Sequence, residues 1–308
     1  MVHAIAVLSS IFHMTFLTVR QNTLVSAIIG FLAAAAWIIG KINIPLALLF
    51  VLTWKGCRTP EFLVVLLAIF FWLLLVKDGT RIMDVICIIA LASCLVAVAQ
   101  MLGANWPYAF KKEFSFVGIT PNKNFHSALL AMAIPAFFRK WWVYCLVLLV
   151  PSLILCESSG GIYALCFSCF VYSLTYKPKY AILFVLAAAA YLYIDNPGVT
   201  NRLAEWKRLD MVTIGGGLGS YKKIGHMGSA HNEYIQIIYE LGYIAVIPIA
   251  FYFYGFLKSF KKISRQTAIG FLTMAGNAFV NPLFHIPQTA IMGLMWMAQY
   301  ERERHGTA

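Results

Sequence analysis

Long apolar runs separated by short polar punctuation make up nearly the whole chain. The runs do not alternate apolar and polar residues, so a transmembrane β-barrel is excluded. At about 20 apolar residues per span, they predict about twelve helices. The spans are roughly 2–19, 22–40, 43–54, 60–76, 82–102, 123–138, 141–156, 161–176, 180–195, 232–257, 267–281 and 286–300. The third is short and reads either as re-entrant or as a longer span. The last two flank Asn281-Pro282 and read either as two helices or as one broken helix. No internal repeat or low-complexity segment interrupts the pattern. The fold class expected is all-α: a polytopic integral membrane helix bundle forming one transmembrane domain over 1–308. Two long outer loops are expected at about 103–122 and 196–231.

Composition agrees with that pattern. Of 308 residues, 61% are hydrophobic and only 12% charged, against about 25% charged in a soluble domain. The first run, Val2 to Val19, lacks a basic leader and a clear cleavage site, so it reads as a retained helix. The seven cysteines lie mostly inside apolar runs and read as small packing residues. Cys166 and Cys169 form a lone CxxC with no second ligand pair, so no metal site is expected.

Charge adds orientation. The net charge is +12. Without a soluble basic domain this points to topology and anionic ligands rather than to nucleic acid. With both termini cytoplasmic, thirteen of the 24 basic residues fall on the inner side, Lys258, Lys261, Lys262 and Arg265 most densely. Eight of the outer eleven gather in two loops: Lys111, Lys112 and Lys123, then Arg202, Lys207, Arg208, Lys222 and Lys223. That clustering fits either anionic headgroups or a dedicated phosphate site.

The densest chemistry lies between Arg202 and Gly242, RLAEWKRLDMVTIGGGLGSYKKIGHMGSAHNEYIQIIYELG. His231 precedes a helix, and the positive end of the helix dipole disfavours its imidazolium. A neutral imidazole accepts a proton, so His231 suits general-base work; a helix-capping histidine in the headgroup zone is the plainer account. Asn232, Gln236 and Glu240 fall on one helix face, with Glu240 about 12 Å deeper than Asn232. They form either a polar seam between helices or a substrate contact. The run Gly215-Gly216-Gly217-Leu218-Gly219 lacks the Lys-Ser/Thr ending of a phosphate loop and reads as a hinge. Pro121, Asn122, Lys123, Asn124 and His126 either line a cleft or cap a helix.

These residues carry a resemblance. Arg202 with Trp206, GGGLGSY, and AHNEYIQIIYELG look like the O-antigen ligase and polymerase superfamily. Its signature is a histidine, then Asn, Ser or Gln, nine residues, and Gly-x-x-Gly. Here it reads His231, Asn232, nine residues and Gly242, with Ala245 in place of the last glycine. FVGITPNKNFHSALLAMAIP, 116–135, is similar to the family's entry into a middle helix, and the likeness covers roughly 115–300. The family's Ser-Arg-Gly arginine is absent from Glu157-Ser158-Ser159-Gly160-Gly161.

The resemblance implies a bacterial inner-membrane glycosyltransferase. It would move a glycan from undecaprenyl diphosphate to an acceptor glycan or lipid A-core at the periplasmic face, without metal or cofactor. His231 would be the base and Arg202 would hold the diphosphate, assisted by Lys123 or by Lys222 and Lys223. Asn122, Asn124, Asn232 and Glu240 would contact substrate. A transporter, scaffold or inhibitor of lipid-linked glycan assembly is the alternative.

Overall fold

The structure is a computed structural model that describes residues 81–104, 116–192, 206, 221, 230–281 and 283–306. The four expected spans before residue 77, most of both outer loops, and Arg202, Lys222 and Lys223 lie outside the described residues. Within them the chain is all-helical. The α-helices are α1 (Ile82–Met101), α2 (Lys123–Phe137), α3 (Leu146–Leu155), α4 (Ser159–Tyr176) and α5 (Ala181–Leu192). They continue as α6 (Glu233–Leu241), α7 (Val246–Ser259), α8 (Arg265–Ala278) and α9 (Pro287–Arg304).

One boundary corrects the hydropathy pattern. The run 232–257 is two helices, α6 and α7. Gly242 has φ +89° and ψ 172°, which no helix accommodates, and a 3₁₀ turn over Tyr243–Ala245 restarts the chain. At the other open point, α8 and α9 are separate helices joined by a turn. They run antiparallel: a Cβ at Gly270 would strike the Trp296 ring, and Thr267 bonds Glu303.

Helix α2 is the centre. Thirteen of its fifteen residues are buried, and α1, α3, α4, α8 and α9 all pack on it. A helix covered on every side needs little amphipathicity. Small residues let the backbones close up. A Cβ on Gly161 would collide with the Ser127 backbone of α2, and one on Gly276 would lie 3.2 Å from Ala164 Cα. Trp296 Nε1 donates to Met132 O at 2.9 Å, pinning α9 to the middle of α2.

The outer helices expose what water does not favour. Leu95, Val147, Ile154, Leu183, Phe251 and Tyr254 are each more than half exposed. Among the described residues α1 is the helix long and apolar enough to cross a bilayer, at mean hydropathy 2.7. Segments 142–155 and 243–259 are apolar but shorter. The count of twelve spans is therefore not established; α2, α8 and α9 carry buried Ser, Thr, Asn and Gln that lower their hydropathy.

The two ends of the bundle differ. One end is clasped by Asp84, which accepts from Trp142 Nε1 at 3.1 Å and faces Arg139 at 3.7 Å. There Glu303 also accepts from Ser264 N at 2.6 Å, Ser264 Oγ at 2.9 Å, Thr267 Oγ1 at 2.7 Å and Gln299 Nε2 at 2.8 Å. Eleven of the twelve described Lys and Arg residues lie in the turns and helix termini of this end; the twelfth is Lys123, at the opposite end.

Candidate functional site

The opposite end gathers the polar sequence. Helices α2, α4, α6 and α9 begin there, and α1 and α8 finish there. The segment before α2 is stitched down first. Gln100 at the end of α1 bonds both sides of Gly118, donating to its carbonyl at 3.0 Å and accepting from its N–H at 3.1 Å. Gln288 of α9 donates to Ile119 O at 3.2 Å. Ser93 Oγ accepts from Ile119 N and lies 2.9 Å from His126 Nδ1. Gly118 has φ +55°, and an added Cβ would sit 2.5 Å from both Ser93 Oγ and His126 Cε1, so only glycine fits. His126 is fully buried, and its Nε2 has no hydrogen-bond partner among the described residues.

Asn122, expected at a substrate, caps α2: its Oδ1 accepts from the N–H groups of Asn124 and Phe125 at 3.0 and 3.1 Å. Asn124 Oδ1 accepts from Ser158 Oγ at 2.9 Å, and Ser127 Oγ donates to Ser158 O at 3.2 Å. These bonds join the starts of α2 and α4. Lys123 Nζ lies 3.8 Å from Glu157 Oε2, in a pair that is largely solvent-exposed on the carboxylate side. The cation proposed to replace the missing arginine therefore has an acid beside it.

His231 is built into the entry of α6. Its φ is +49°; Glu157 at the entry of α4 has the same value, and these are the non-glycine residues at positive φ among those described. A left-handed L-residue costs about 1–2 kcal/mol, so neighbours must hold it. Ala230, just before, is buried and fixed on both sides. Its N–H donates to Gln236 Oε1 at 3.2 Å, and its carbonyl accepts from Trp206 Nε1 at 2.6 Å. Asn232, just after, caps the helix through Oδ1 to Ile235 N at 3.1 Å. Gln236 Nε2 donates to buried Glu240 at 3.2 Å. The face of Asn232, Gln236 and Glu240 is thus bonded within its own helix and to Ala230. Tyr221 packs edge-on against Tyr239, centroids 5.5 Å apart.

The sequence pattern passed over Glu233. It is 2% exposed, and its Oε2 accepts from Phe284 N at 3.1 Å in the turn between α8 and α9. A carboxylate in the first turn of a helix, two residues past a histidine, was the available signal. Among the described residues no group of three or more His, Cys, Asp or Glu is placed to hold a metal. The chain matches no protein-family model, no curated protein and no solved structure.

Proposed function

We propose that the chain is a polytopic membrane glycosyltransferase of the O-antigen ligase and polymerase type. It takes a glycan from undecaprenyl diphosphate to an acceptor glycan on the outer face of the bacterial inner membrane. The observation that carries this reading is the entry to α6, where His231 is held in a left-handed conformation between a clamped Ala230 and a capping Asn232. Strain kept in place by surrounding bonds is typical of functional positions.

Trp206, four residues after Arg202 in the sequence, meets the same α6 entry. Its indole reaches the carbonyl just before His231. The exposed apolar faces suit lipid. The basic end suits the cytoplasmic side by the positive-inside rule, and on this reading His231 faces outward.

In the reaction the acceptor hydroxyl attacks the anomeric carbon, and the bond from that carbon to the diphosphate oxygen breaks. His231 takes the hydroxyl proton. Arg202, with Lys123 or with Lys222 and Lys223, stabilises the departing diphosphate.

The test is glycan laddering after complementation of ligase-null and polymerase-null strains. Wild type should restore one ladder, naming the acceptor class. His231→Ala and Arg202→Ala should each restore none while inserting normally. A normal ladder from either variant refutes the assignment. A second reading, a non-catalytic scaffold of glycan assembly, draws on the Lys123–Glu157 pair, which sets an acid beside the cation a diphosphate would need.

A further inference from the structure

We propose that Glu233 is a positioning residue for His231, tying the backbone that carries it to the turn between α8 and α9; this rests on reading His231 as the base. The bonds from Trp206, Gln236 and Asn232 define the local shape of the α6 entry. Two side chains of the first turn reach across to the α8–α9 pair. Tyr234 OH donates to Ala275 O at 3.1 Å, partway down α8. Glu233 Oε2 accepts from Phe284 N at 3.1 Å, at the level of the turn itself.

That turn is part of the same polar end. Thr289 Oγ1 closes it by donating to Leu283 O at 2.6 Å, and Gln288, one residue earlier, reaches Ile119 in the segment leading to Asn122 and Lys123. Glu233 thus links the histidine's backbone, through this turn and Gln288, to the segment leading into α2. Its burial makes the link stiff, because a desolvated carboxylate held by a backbone N–H has few other places to go. A misplacement of about 1 Å at a catalytic group costs on the order of 100-fold in rate.

The experiment uses the full-length protein in membranes of whichever null strain the wild type complements, supplied with extracted undecaprenyl-diphosphate-linked glycan. Initial rates of diphosphate-lipid release are read across donor concentration for wild type, Glu233→Ala, Glu233→Gln and His231→Ala. Hydrogen exchange of the 283–285 amides is read in parallel. Glu233→Ala should lower kcat by about 100-fold with the donor KM unchanged, and should expose the Phe284 amide. Glu233→Gln keeps a carbonyl for that amide, so it should recover most of the rate and the protection.

A Glu233→Ala protein with wild-type kcat, beside an inert His231→Ala, overturns the positioning role and leaves the parent reading standing. An active His231→Ala, or a wild type that complements neither strain, overturns the parent reading itself. Should Glu233→Ala fail to fold, Glu233→Gln decides: an inactive, well-folded Gln variant shows that the charge acts directly and overturns positioning.

Discussion

Replacing Gly118 by alanine should damage the polar end severely. Gly118 has φ +55°, and the new Cβ would lie 2.5 Å from Ser93 Oγ, 2.5 Å from His126 Cε1 and 2.7 Å from His126 Nδ1. The backbone conformation alone costs an L-residue about 1–2 kcal/mol. Overpacking a closed site adds about 1–3 kcal/mol. The methyl also wedges apart the 2.9 Å Ser93–His126 contact, whose loss leaves buried polar atoms unsatisfied at about 1–3 kcal/mol. These contributions overlap, so the expected total is about 3–5 kcal/mol.

Gly103 supplies the control. Its φ is +100°, yet nothing lies within 4 Å of an added Cβ, so Gly103→Ala should cost only the backbone share, about 1–2 kcal/mol. Equilibrium unfolding in mixed detergent and SDS micelles, followed by tryptophan fluorescence, measures both. Ser93→Ala combined with Gly118→Ala removes one of the clashing atoms and should return part of the loss as a coupling energy. Equal destabilisation by Gly103→Ala and Gly118→Ala would refute the reasoning, since it would mean that the crowding around Gly118 relaxes at no cost.

Two further outcomes follow from the opposite ends of the bundle. Glu303→Ala deprives four donors of their acceptor at the basic end and should cost about 2–3 kcal/mol, with the α8 first turn losing hydrogen-exchange protection; unchanged protection at 264–267 argues against it. Glu157→Gln removes a pair whose carboxylate is 74% exposed, so the same unfolding assay should read a change within about 1 kcal/mol, and a larger loss would mean that the pair is structural.

Much of the fold was readable because apolar runs report buried helices directly. The starts and ends of α1, α2, α4, α5 and α8 fall within about three residues of the hydropathy spans, and α9 runs four residues past its span. The run 232–257 misled because hydropathy ignores φ: Gly242 is one glycine among apolar neighbours, and its conformation decides the break. At the candidate site the polar residues were visible but their duties were not. Asn122 and Asn232 have the composition of ligands and the geometry of caps, which only the donor positions distinguish. Glu233 was missed because the pattern followed every fourth residue from Asn232, and Glu233 points about 100° away around the helix. Gln100 and Gly118 meet across eighteen residues of chain that carry no periodic signal.

The burial of α2 on all sides also has a consequence for how the protein is made. The Met132 carbonyl receives its indole partner from Trp296, 164 residues later in the chain. At roughly 5–20 residues per second of synthesis, the central helix waits on the order of 8–30 s for the helix that closes over it. During that interval α3, α4 and α8 are made in turn and join α1 on α2. A nascent chain stalled before α9 therefore leaves the Met132 carbonyl without its indole partner and one side of α2 uncovered.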